Sequence, residues 1–288
     1  MNSYNLGGHS GCQIFLIEDD DGKVFVRKIS KNKDYNARLK IQSEKQAAFR
    51  GGQIKTPVVY RSSVNEDGLF YFDMEYVYGM TLAEYIKSME IGKVHRLVDI
   101  LVENLVPKTE RKLGNSEKKQ INGIFEKKLS SLDGILAKKN NPVVNEALDI
   151  LHSHDWSKFT PTVCHGDMTL ENILIKNEEI YFIDFLDSFY DSWLLDIGTL
   201  FQDVQVMWSY RYAKKISMNT VLRLIVFRDL LLDAIGAINK IYLPEIYYAL
   251  LQKLLRIYPY TADRYTYEFL NEKTEIILNS IKRMEDKG

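Results

Sequence analysis

Cysteine and surplus charge are both scarce in this sequence. Its 288 residues include two cysteines, Cys12 and Cys164, and the formal net charge is −1. Two widely separated cysteines provide neither a disulfide framework nor the ligand spacing of a zinc site. A chain without excess positive charge lacks the electrostatic footprint of proteins that bind the nucleic-acid phosphate backbone. We therefore expect no disulfide framework, no zinc site and no nucleic-acid partner.

Long apolar runs are missing as well. The most apolar stretch, residues 222–241, contains five charged side chains, whereas a bilayer span needs roughly 20 mostly apolar residues. Within this stretch, the following residues recur at helical spacing: Leu224, Phe227, Leu231, Ala234, Ile238 and Ile241. This spacing predicts a packed helix. The first residues lack a basic region followed by an apolar one, so we expect no signal peptide, no membrane partner and a cytoplasmic location.

The pattern of the chain changes from strands to helices near Val77. A short apolar run at Gln13–Ile17 and alternating residues over Lys23–Ile29 predict one hairpin, and Val58–Ser62 with Leu69–Val77 predicts a second. A helix is predicted between the hairpins, over Tyr35–Arg50. Helical spacing dominates the rest of the chain. These patterns indicate an α+β protein with an N-terminal lobe at residues 1–77 and a C-terminal lobe at 78–288.

Three side chains with oxygen ligands stand at short spacing. Asn172 follows Asp167 by five residues, and Asp184 follows Asn172 by twelve. The intervening residues 173–183 read as a β-hairpin, so Asn172 at its entrance and Asp184 at its exit return to the same end. An amide and a carboxylate oxygen at one place suit Mg²⁺. Asp167, just upstream, is able to accept a proton from a substrate hydroxyl, and these groups together suit phosphoryl transfer.

A structural explanation exists for each of these acidic residues alone. Aspartate commonly caps a turn or ends a strand. The combination of His165, Gly166, Asp167, Asn172 and Asp184 at one spacing favours a functional site over that explanation.

These residues resemble a known family. The segment His165-Gly166-Asp167, with Asn172 and the later Ile183-Asp184-Phe185, is similar to the catalytic segments of the aminoglycoside/choline phosphotransferase family. Its members are small-molecule kinases. The resemblance implies a two-lobed protein-kinase-like fold, with a small β-rich N-terminal lobe and a larger, mainly helical C-terminal lobe. It also implies that Asp167 is the catalytic base, that Asn172 and Asp184 bind Mg²⁺, and that His165 supports the loop rather than reacting.

The segment after the hairpin carries a further match and a departure. Asp196, in Leu195-Asp196-Ile197, resembles the family's aspartate that braces the catalytic loop. The Gly-Asp-Pro that usually precedes it is replaced by residues 189–192, Phe-Tyr-Asp-Ser, so the shape of this loop is open. Gly166 stands where protein kinases have arginine, and the interval from Asp184 to Asp196 is short. Both features disfavour a protein substrate.

The resemblance requires a lysine for the nucleotide phosphates. In the strand 24–29, Val26 and Lys28 share a face, as in the Val-Ala-Ile-Lys strand of kinases. We expect Val26 to cover adenine, Lys28 to bind the α/β-phosphates, and Glu44 on the following helix to orient Lys28. A solvated edge-strand lysine and an ordinary surface glutamate are the alternatives.

Two further segments are candidates for nucleotide binding. The glycine-rich residues 6–12, with Gly8 and Ser10, precede the first predicted strand and suit a loop over phosphates, although three glycines also make simple turns. The lobe switch would offer adenine the carbonyl of Glu75 and the N–H of Val77. No Gly-x-x-x-x-Gly-Lys-Ser/Thr pattern is present, which disfavours a P-loop enzyme.

Acceptor recognition is the least determined part. Acidic and aromatic residues follow Asp184, and from them we predict Asp187 and Asp203 as acceptor contacts. Carboxylates beside aromatic rings suit an amine such as an aminoglycoside or a choline-like alcohol, and equally a sugar. The alternative is that the rings are core and the acids are caps.

The leading hypothesis is Mg²⁺-dependent transfer of the γ-phosphate of ATP, or of GTP, to a hydroxyl of a small molecule. A non-catalytic kinase-fold nucleotide-binding protein and a protein kinase are the alternatives. The first alternative is disfavoured because candidates exist for the lysine, the base and the metal ligands. The sequence leaves the acceptor, the nucleotide and the oligomeric state open.

Overall fold

A computed structural model describes residues 2–7, 11–109, 111–136 and 141–286. The chain forms two compact units. Unit 1 comprises Met1–Tyr85, His165–Asp167 and Glu171–Ser188, and unit 2 comprises Ile86–Cys164, Met168–Leu170 and Phe189–Gly288. The α+β class is confirmed, because strands dominate the N-terminal part and helices the C-terminal part. The expected single boundary after Val77 stays a prediction; unit 1 also includes residues around the hairpin that follows Asn172.

Unit 1 contains an antiparallel five-stranded sheet of order β1-β2-β3-β6-β5. Its strands are β1 (Asn2–Asn5), β2 (Gln13–Glu18), β3 (Val24–Ile29), β5 (Val59–Val64) and β6 (Phe70–Glu75). Both predicted hairpins are confirmed to within about two residues. Strand β1 was not expected, since its four residues are all exposed and carry no apolar alternation. It forms because its backbone pairs with β2.

Helix α1 (Asn36–Ala48) lies between the two hairpins, as predicted. It follows a short 3₁₀ turn that begins when the side chain of Asn32 accepts a hydrogen bond from the Tyr35 N–H at 2.9 Å. The side chains that α1 buries are Leu39, Gln42, Ser43 and Gln46. This face is mostly polar, so the helix is fixed by hydrogen bonds as well as by apolar contact.

A second sheet in unit 1 has the order β4-β9-β8-β7. Its strands are β4 (Ile54–Lys55), β7 (Met80–Thr81), β8 (Ile173–Lys176) and β9 (Glu179–Phe182). The predicted hairpin is confirmed as β8 and β9. Its two-residue turn places Asn177 at φ 51° and Glu178 at φ 67°, the backbone of a tight type I′ hairpin. This turn sets the register that returns the chain to Asn172.

Helices make up most of unit 2, after a four-residue helix, α2 (Leu82–Tyr85), that belongs to unit 1. They are α3 (Ile91–Leu105), α4 (Asn115–Leu136), α5 (Pro142–Ser153), α6 (Trp193–Val204), α7 (Met218–Ile238), α8 (Tyr242–Ile257) and α9 (Arg264–Glu285). Helix α6 is buried over its whole length. Gly198 allows α6 to approach α8, because a Cβ there would lie 2.4 Å from the Cβ of Ala249.

Helix α7 contains most of the apolar stretch identified in the sequence. It buries Leu224, Phe227, Leu231 and Ile235, whereas Ile238 and Ile241 are exposed. The predicted packed helix is confirmed, but its buried stripe ends at Ile235, six residues before Ile241. In the ranges that the structure describes, we find no helix with both the length and the apolar character needed to cross a membrane.

Candidate active site

A cavity of about 200 Å³ lies within unit 1. Its apolar wall is formed by Leu6, Ile14, Val26, Phe72, Met74, Val77, Leu174, Ile183 and Phe185. Its polar residues include Lys28, Gln42, Asn172 and Asp184. An apolar wall with polar groups at one end suits a flat heterocycle that carries phosphates.

Four residues predicted to bind nucleotide line this cavity. Val26 and Lys28 lie on β3, and Glu75 and Val77 lie at the end of β6 and just beyond it. Val26 and Lys28 reach the same space because they are two residues apart on one strand. Gly8 and Ser10 lie outside the described residues.

Lys28 and Asp184 form an ion pair in this cavity. The lysine is almost completely buried, with 2% of its surface exposed, whereas the Asp184 side chain is 36% exposed. Asp184 has φ 62°, a left-handed conformation that few non-glycine residues adopt. Such backbone strain persists where surrounding structure requires it, and it clusters at functional sites. In this protein the strained residue, Asp184, lies two residues after the end of β9.

Asn172 contacts the predicted base. Its Nδ2 donates to the carbonyl oxygen of Asp167 at 2.9 Å and to the carboxylate Oδ2 of Asp167 at 3.2 Å. The Asn172 carbonyl accepts from the Ile183 N–H at 3.0 Å, which brings the two ends of the hairpin together. Since both contacts to Asp167 use the amide nitrogen, the amide oxygen remains to bind a cation. Asn172 and Asp184 thus provide the hard oxygen ligands that Mg²⁺ prefers.

His165 bonds to the backbone through both ring nitrogens. Its Nδ1 accepts from the Asp167 N–H at 3.2 Å, so the ring proton lies on Nε2, which donates to the Ile183 carbonyl at 2.7 Å. The ring also packs against Phe185, with centroids 4.4 Å apart. Phe185 packs in turn against Phe49 at the end of α1. This is the geometry of a neutral side chain that supports the loop.

Gly166 has a backbone that disfavours any other residue. Its φ is +91°, and a Cβ there would lie 2.3 Å from Ser188 Oγ and 3.0 Å from the Leu186 carbonyl oxygen. The glycine of the His-Gly-Asp segment is therefore explained by the close approach of the chain that follows Asp184.

Gly166→Ala is expected to destabilise the protein by about 3 kcal/mol, from left-handed strain and overpacking together. Urea unfolding followed by circular dichroism measures this change. The control is Gly123→Ala in α4, where a Cβ meets nothing within 4 Å and should stabilise the helix by about 0.5–1 kcal/mol. Equal midpoints for the two variants would contradict the argument.

The prediction that Glu44 orients Lys28 is wrong. Its side chain is 63% exposed, and its Oε1 lies 3.9 Å from Lys40 Nζ on the same helix. The residue that approaches Lys28 is Gln42, whose Oε1 lies 3.4 Å from Lys28 Nζ. The physical reason is helical geometry. Two residues correspond to about 200° of rotation, so Glu44 lies on the opposite face of α1 from Gln42.

Helix α1 contacts the segment after Asp184 through one face. Gln42 Nε2 donates to Asp187 at 2.9 Å, Arg38 Nε donates to Asp187 at 2.6 Å, and Lys45 Nζ donates to the Leu186 carbonyl at 2.9 Å. Burial raises the pKa of Asp187, but the hydrogen bonds and charge of Arg38, with Gln42, outweigh it and leave that pKa below its ordinary value. Gln42 therefore joins Lys28 to the residues that follow Asp184.

Gln42→Leu is expected to cost about 1–3 kcal/mol of stability, because it leaves the buried Lys28 and Asp187 each without one partner. The KM for nucleotide should rise about fivefold, since Lys28 loses its orienting contact. Urea unfolding and initial-rate kinetics measure the two effects.

Glu44→Gln, on the exposed face of the same helix, is the matched control and should change stability by less than about 0.5 kcal/mol. If Glu44→Gln impaired nucleotide binding more than Gln42→Leu did, the assignment of Gln42 would be wrong.

The two remaining aspartates lie on α6. Asp203 is fully buried, and its two carboxylate oxygens accept hydrogen bonds from the backbone N–H groups of Leu170 and Ser209, each at 2.8 Å. This position favours a structural role over the predicted acceptor contact. Asp196 is buried in the first turn of α6, and its bracing of the catalytic loop stays a prediction.

Sequence reasoning missed Gln42 and the cavity residues Met74, Leu174 and Ile183. The apolar residues read only as strand interior. Gln42 gave no signal because hydrophobic periodicity detects apolar faces, and the buried face of α1 is mostly polar. Gln42 lies four residues after Arg38 and three before Lys45, so the three side chains share one face of α1. This pattern indicates a function only when the structure shows Asp187 beside that face.

A profile of the phosphotransferase enzyme family (APH) matches residues 5–215, which is most of the chain. The chain belongs to this family. It is a small-molecule phosphotransferase, as the sequence predicted, and this argues against the non-catalytic alternative. A search of curated proteins gave no match.

Several solved structures are similar to the structure of this phosphotransferase. A variant of aminoglycoside phosphotransferase APH(4)-Ia, in ternary complex with AMP-PNP and hygromycin B, has a TM-score of 0.65 at 14% identity, over 97% of this chain and 93% of that one. A putative fructosamine-3-kinase from Haemophilus somnus has a TM-score of 0.56 at 15% identity, over 96% and 91%. The GDP complex of an aminoglycoside 2'-phosphotransferase-IIIa variant has a TM-score of 0.59 at 14% identity, over 98% and 91%. These likenesses confirm the protein-kinase-like fold.

Proposed function

We propose that this phosphotransferase moves the γ-phosphate of ATP, or of GTP, to a hydroxyl of a small molecule in a Mg²⁺-dependent reaction. The observation that carries the proposal is the cavity of unit 1, whose apolar wall leads to the ion pair of Lys28 and Asp184 with Asn172 beside it. Similar structures in complex with ADP, AMP-PNP or GDP support the choice of a nucleotide.

Each polar residue of the cavity has a distinct part in this proposal. Lys28 binds nucleotide phosphates, with Gln42 limiting its movement, and Val26 packs against the base. Asn172 and Asp184 hold Mg²⁺, which when bound neutralises charge on the phosphate oxygens. Asn172 also orients Asp167 through Nδ2, so one residue serves both the cation and the base.

Asp167 accepts the proton of the acceptor hydroxyl as its oxygen attacks the γ-phosphorus. The bond from that phosphorus to the β,γ-bridging oxygen breaks, and the nucleoside diphosphate leaves with the electron pair. Most of the rate acceleration in such a reaction comes from positioning and charge neutralisation. The contacts of Asp167 with Asn172 and His165 supply the positioning.

The acceptor remains a small molecule with a hydroxyl, and hygromycin B in the similar ternary complexes supports this class. Participation of Asp187 and Asp203 in acceptor binding stays a prediction, although the contacts of both favour positioning roles within the protein. The cytoplasmic location also stays a prediction.

A metabolite-panel assay tests the proposal. The purified chain is incubated with ATP or GTP, with Mg²⁺ or with excess EDTA, and with sugars, sugar acids, sugar phosphates, amino sugars and amino alcohols. Mass spectrometry should detect one added phosphoryl group on an acceptor, with equal release of nucleoside diphosphate, and EDTA should abolish it. Turnover that persists in EDTA would contradict the metal assignment.

A further inference from the structure

The buried carboxylate of Asp203 connects two backbone segments of unit 2. Its Oδ2 accepts from the Leu170 N–H and its Oδ1 from the Ser209 N–H, each at 2.8 Å. Leu170 follows Asp167 by three residues in the chain. The short 3₁₀ turn of residues 208–210 is therefore fixed next to the end of the catalytic loop by a single side chain.

The turn presents a stacked guanidinium. The Cζ of Arg211 lies 3.9 Å from the ring centroid of Trp208 and 4.5 Å from that of Tyr212. Arg211 Nη1 donates to the Trp208 carbonyl at 3.0 Å, which further restricts the side chain. Its Nε is buried and has no hydrogen-bond partner among the described residues. Because Nε is buried, the donors left for a ligand are the N–H groups of Nη1 and Nη2, and such a restricted, planar pair is suited to bidentate recognition of a carboxylate or a phosphate.

The charged residues of the segment that contains this turn are all basic. Residues 204–228 include Arg211, Lys214, Lys215, Arg223 and Arg228 and no acidic residue. Lys214 and Lys215 are exposed. Lys87 adds a further cation, with Nζ 5.9 Å from the ring centroid of Tyr210.

Three aspartates that could favour a cationic acceptor are hydrogen-bonded within the protein. Asp263, at the start of α9, accepts from the N–H and hydroxyl of Thr266 and from the Tyr212 hydroxyl. Asp203 is used by two backbone groups, and in unit 1 Asp187 is used by Arg38 and Gln42. The acids that suggested a cationic acceptor thus have other functions. A polyamine would instead meet the positive charge of this region.

We infer that Trp208, Arg211, Tyr212, Lys214 and Lys215, which we term the basic stack, bind an anionic group of the acceptor. The acceptor of this phosphotransferase is then a hydroxylated compound that carries a carboxylate or a phosphate, such as a sugar acid or a sugar phosphate, and not an aminoglycoside. This inference rests on the proposed function, because it assigns the substrate class of the same reaction. The aromatic rings add apolar surface for a sugar ring.

Fluorescence titration tests the inference without requiring turnover. Trp156 and Trp193 are buried, whereas Trp208 is half-buried and stacks on Arg211, so ligands at the basic stack should change the emission of Trp208. The probes are glucuronate, glucose 6-phosphate and inorganic phosphate, with glucose, glucosamine and hygromycin B as comparisons. AMP-PNP and Mg²⁺ are present throughout so that phosphate probes do not enter the nucleotide cavity.

The variant is Arg211→Gln, and its control is Arg283→Gln. Arg283 is exposed and lies about 30 Å from Asp263 along the axis of α9. We expect at least one anionic probe to bind more tightly than glucose and glucosamine, and its Kd to rise about tenfold in Arg211→Gln but not in Arg283→Gln. Glucuronate and glucose 6-phosphate separate a carboxylate from a phosphate preference. If Arg211→Gln does not fold, the double variant Lys214→Gln/Lys215→Gln, which alters two exposed side chains, should weaken the same binding.

Each result separates the inference from the proposed function. Tighter binding or faster phosphorylation of glucosamine or hygromycin B than of the anionic probes overturns the inference and leaves the proposed function standing. Anion binding that depends on Arg211, with no ATP-dependent phosphorylation of any compound, supports the basic stack and contradicts the proposed function. No Arg211-dependent binding of any anionic probe at millimolar concentration overturns the inference.

Discussion

Asp184→Asn is expected to lower kcat by about a thousandfold or more, because it removes the charged metal ligand of the proposed reaction. It also removes the ionic partner of Lys28, a nearly buried lysine whose remaining contact in the cavity is Gln42 at 3.4 Å. Loss of one partner of such a pair leaves a poorly compensated charge, and we expect a stability loss of about 1–3 kcal/mol. Initial rates and urea unfolding measure the two effects.

A metal-binding measurement makes the Asp184 prediction independent of activity. Electron paramagnetic resonance of Mn²⁺ in the presence of AMP-PNP should show weaker binding by Asp184→Asn than by the original chain. Asp67→Asn, the same change in the exposed turn between β5 and β6, should leave both Mn²⁺ affinity and kcat unaltered. Unchanged Mn²⁺ affinity in Asp184→Asn would show that the metal is held elsewhere.

Asp167→Asn is expected to reduce kcat by about 10²–10⁴-fold while the KM for nucleotide stays within about twofold, because general-base catalysis contributes to the chemical step alone. The replacement preserves the size of the side chain and an oxygen for Asn172 Nδ2, which lies 3.2 Å from the carboxylate. The loop should therefore keep its geometry. Steady-state kinetics with the best acceptor from the metabolite panel measures the change.

The control for Asp167→Asn is Glu171→Gln, which alters an exposed carboxylate in the same loop. It should retain near-normal kcat. Full activity in Asp167→Asn would remove the base from the proposed mechanism, and an equal loss in both variants would indicate a general effect of charge on the loop.

Regular elements with apolar alternation were accessible from the sequence. The hairpins β2–β3, β5–β6 and β8–β9 were predicted because strand side chains alternate and the turns carry glycine, asparagine or aspartate. Strand β1 was missed, since its pairing with β2 uses backbone groups that composition does not reveal. Hydrogen bonds between main chains contribute to the sheet regardless of side-chain pattern.

The candidate site also contains residues that the sequence predicted and residues that it did not. Residues close together in the chain, such as Asp167 and Asn172, were predicted from their spacing, and Lys28 from the alternation of β3; the structure places Asp167 in contact with Asn172, and Lys28 in the cavity. The partner of Lys28 was assigned incorrectly to Glu44, because the rotation of α1 about its axis depends on which side chains it buries, and Gln42 is buried. That choice is made by packing against β6 and the segment after Asp184, not by helix propensity.

The sequence by itself determined the reaction class, because the predicted catalytic groups lie on one short loop and one hairpin whose spacing constrains their geometry. The tertiary structure decided which acidic residues are available to a substrate. Asp187 and Asp203 look equivalent in the chain, yet one is bound by Arg38 and Gln42 and the other by two backbone N–H groups. A buried carboxylate in a folded protein accepts hydrogen bonds from the donors that surround it, since a buried charge without partners is costly. Those donors come from residues distant in sequence, and only folding brings them together.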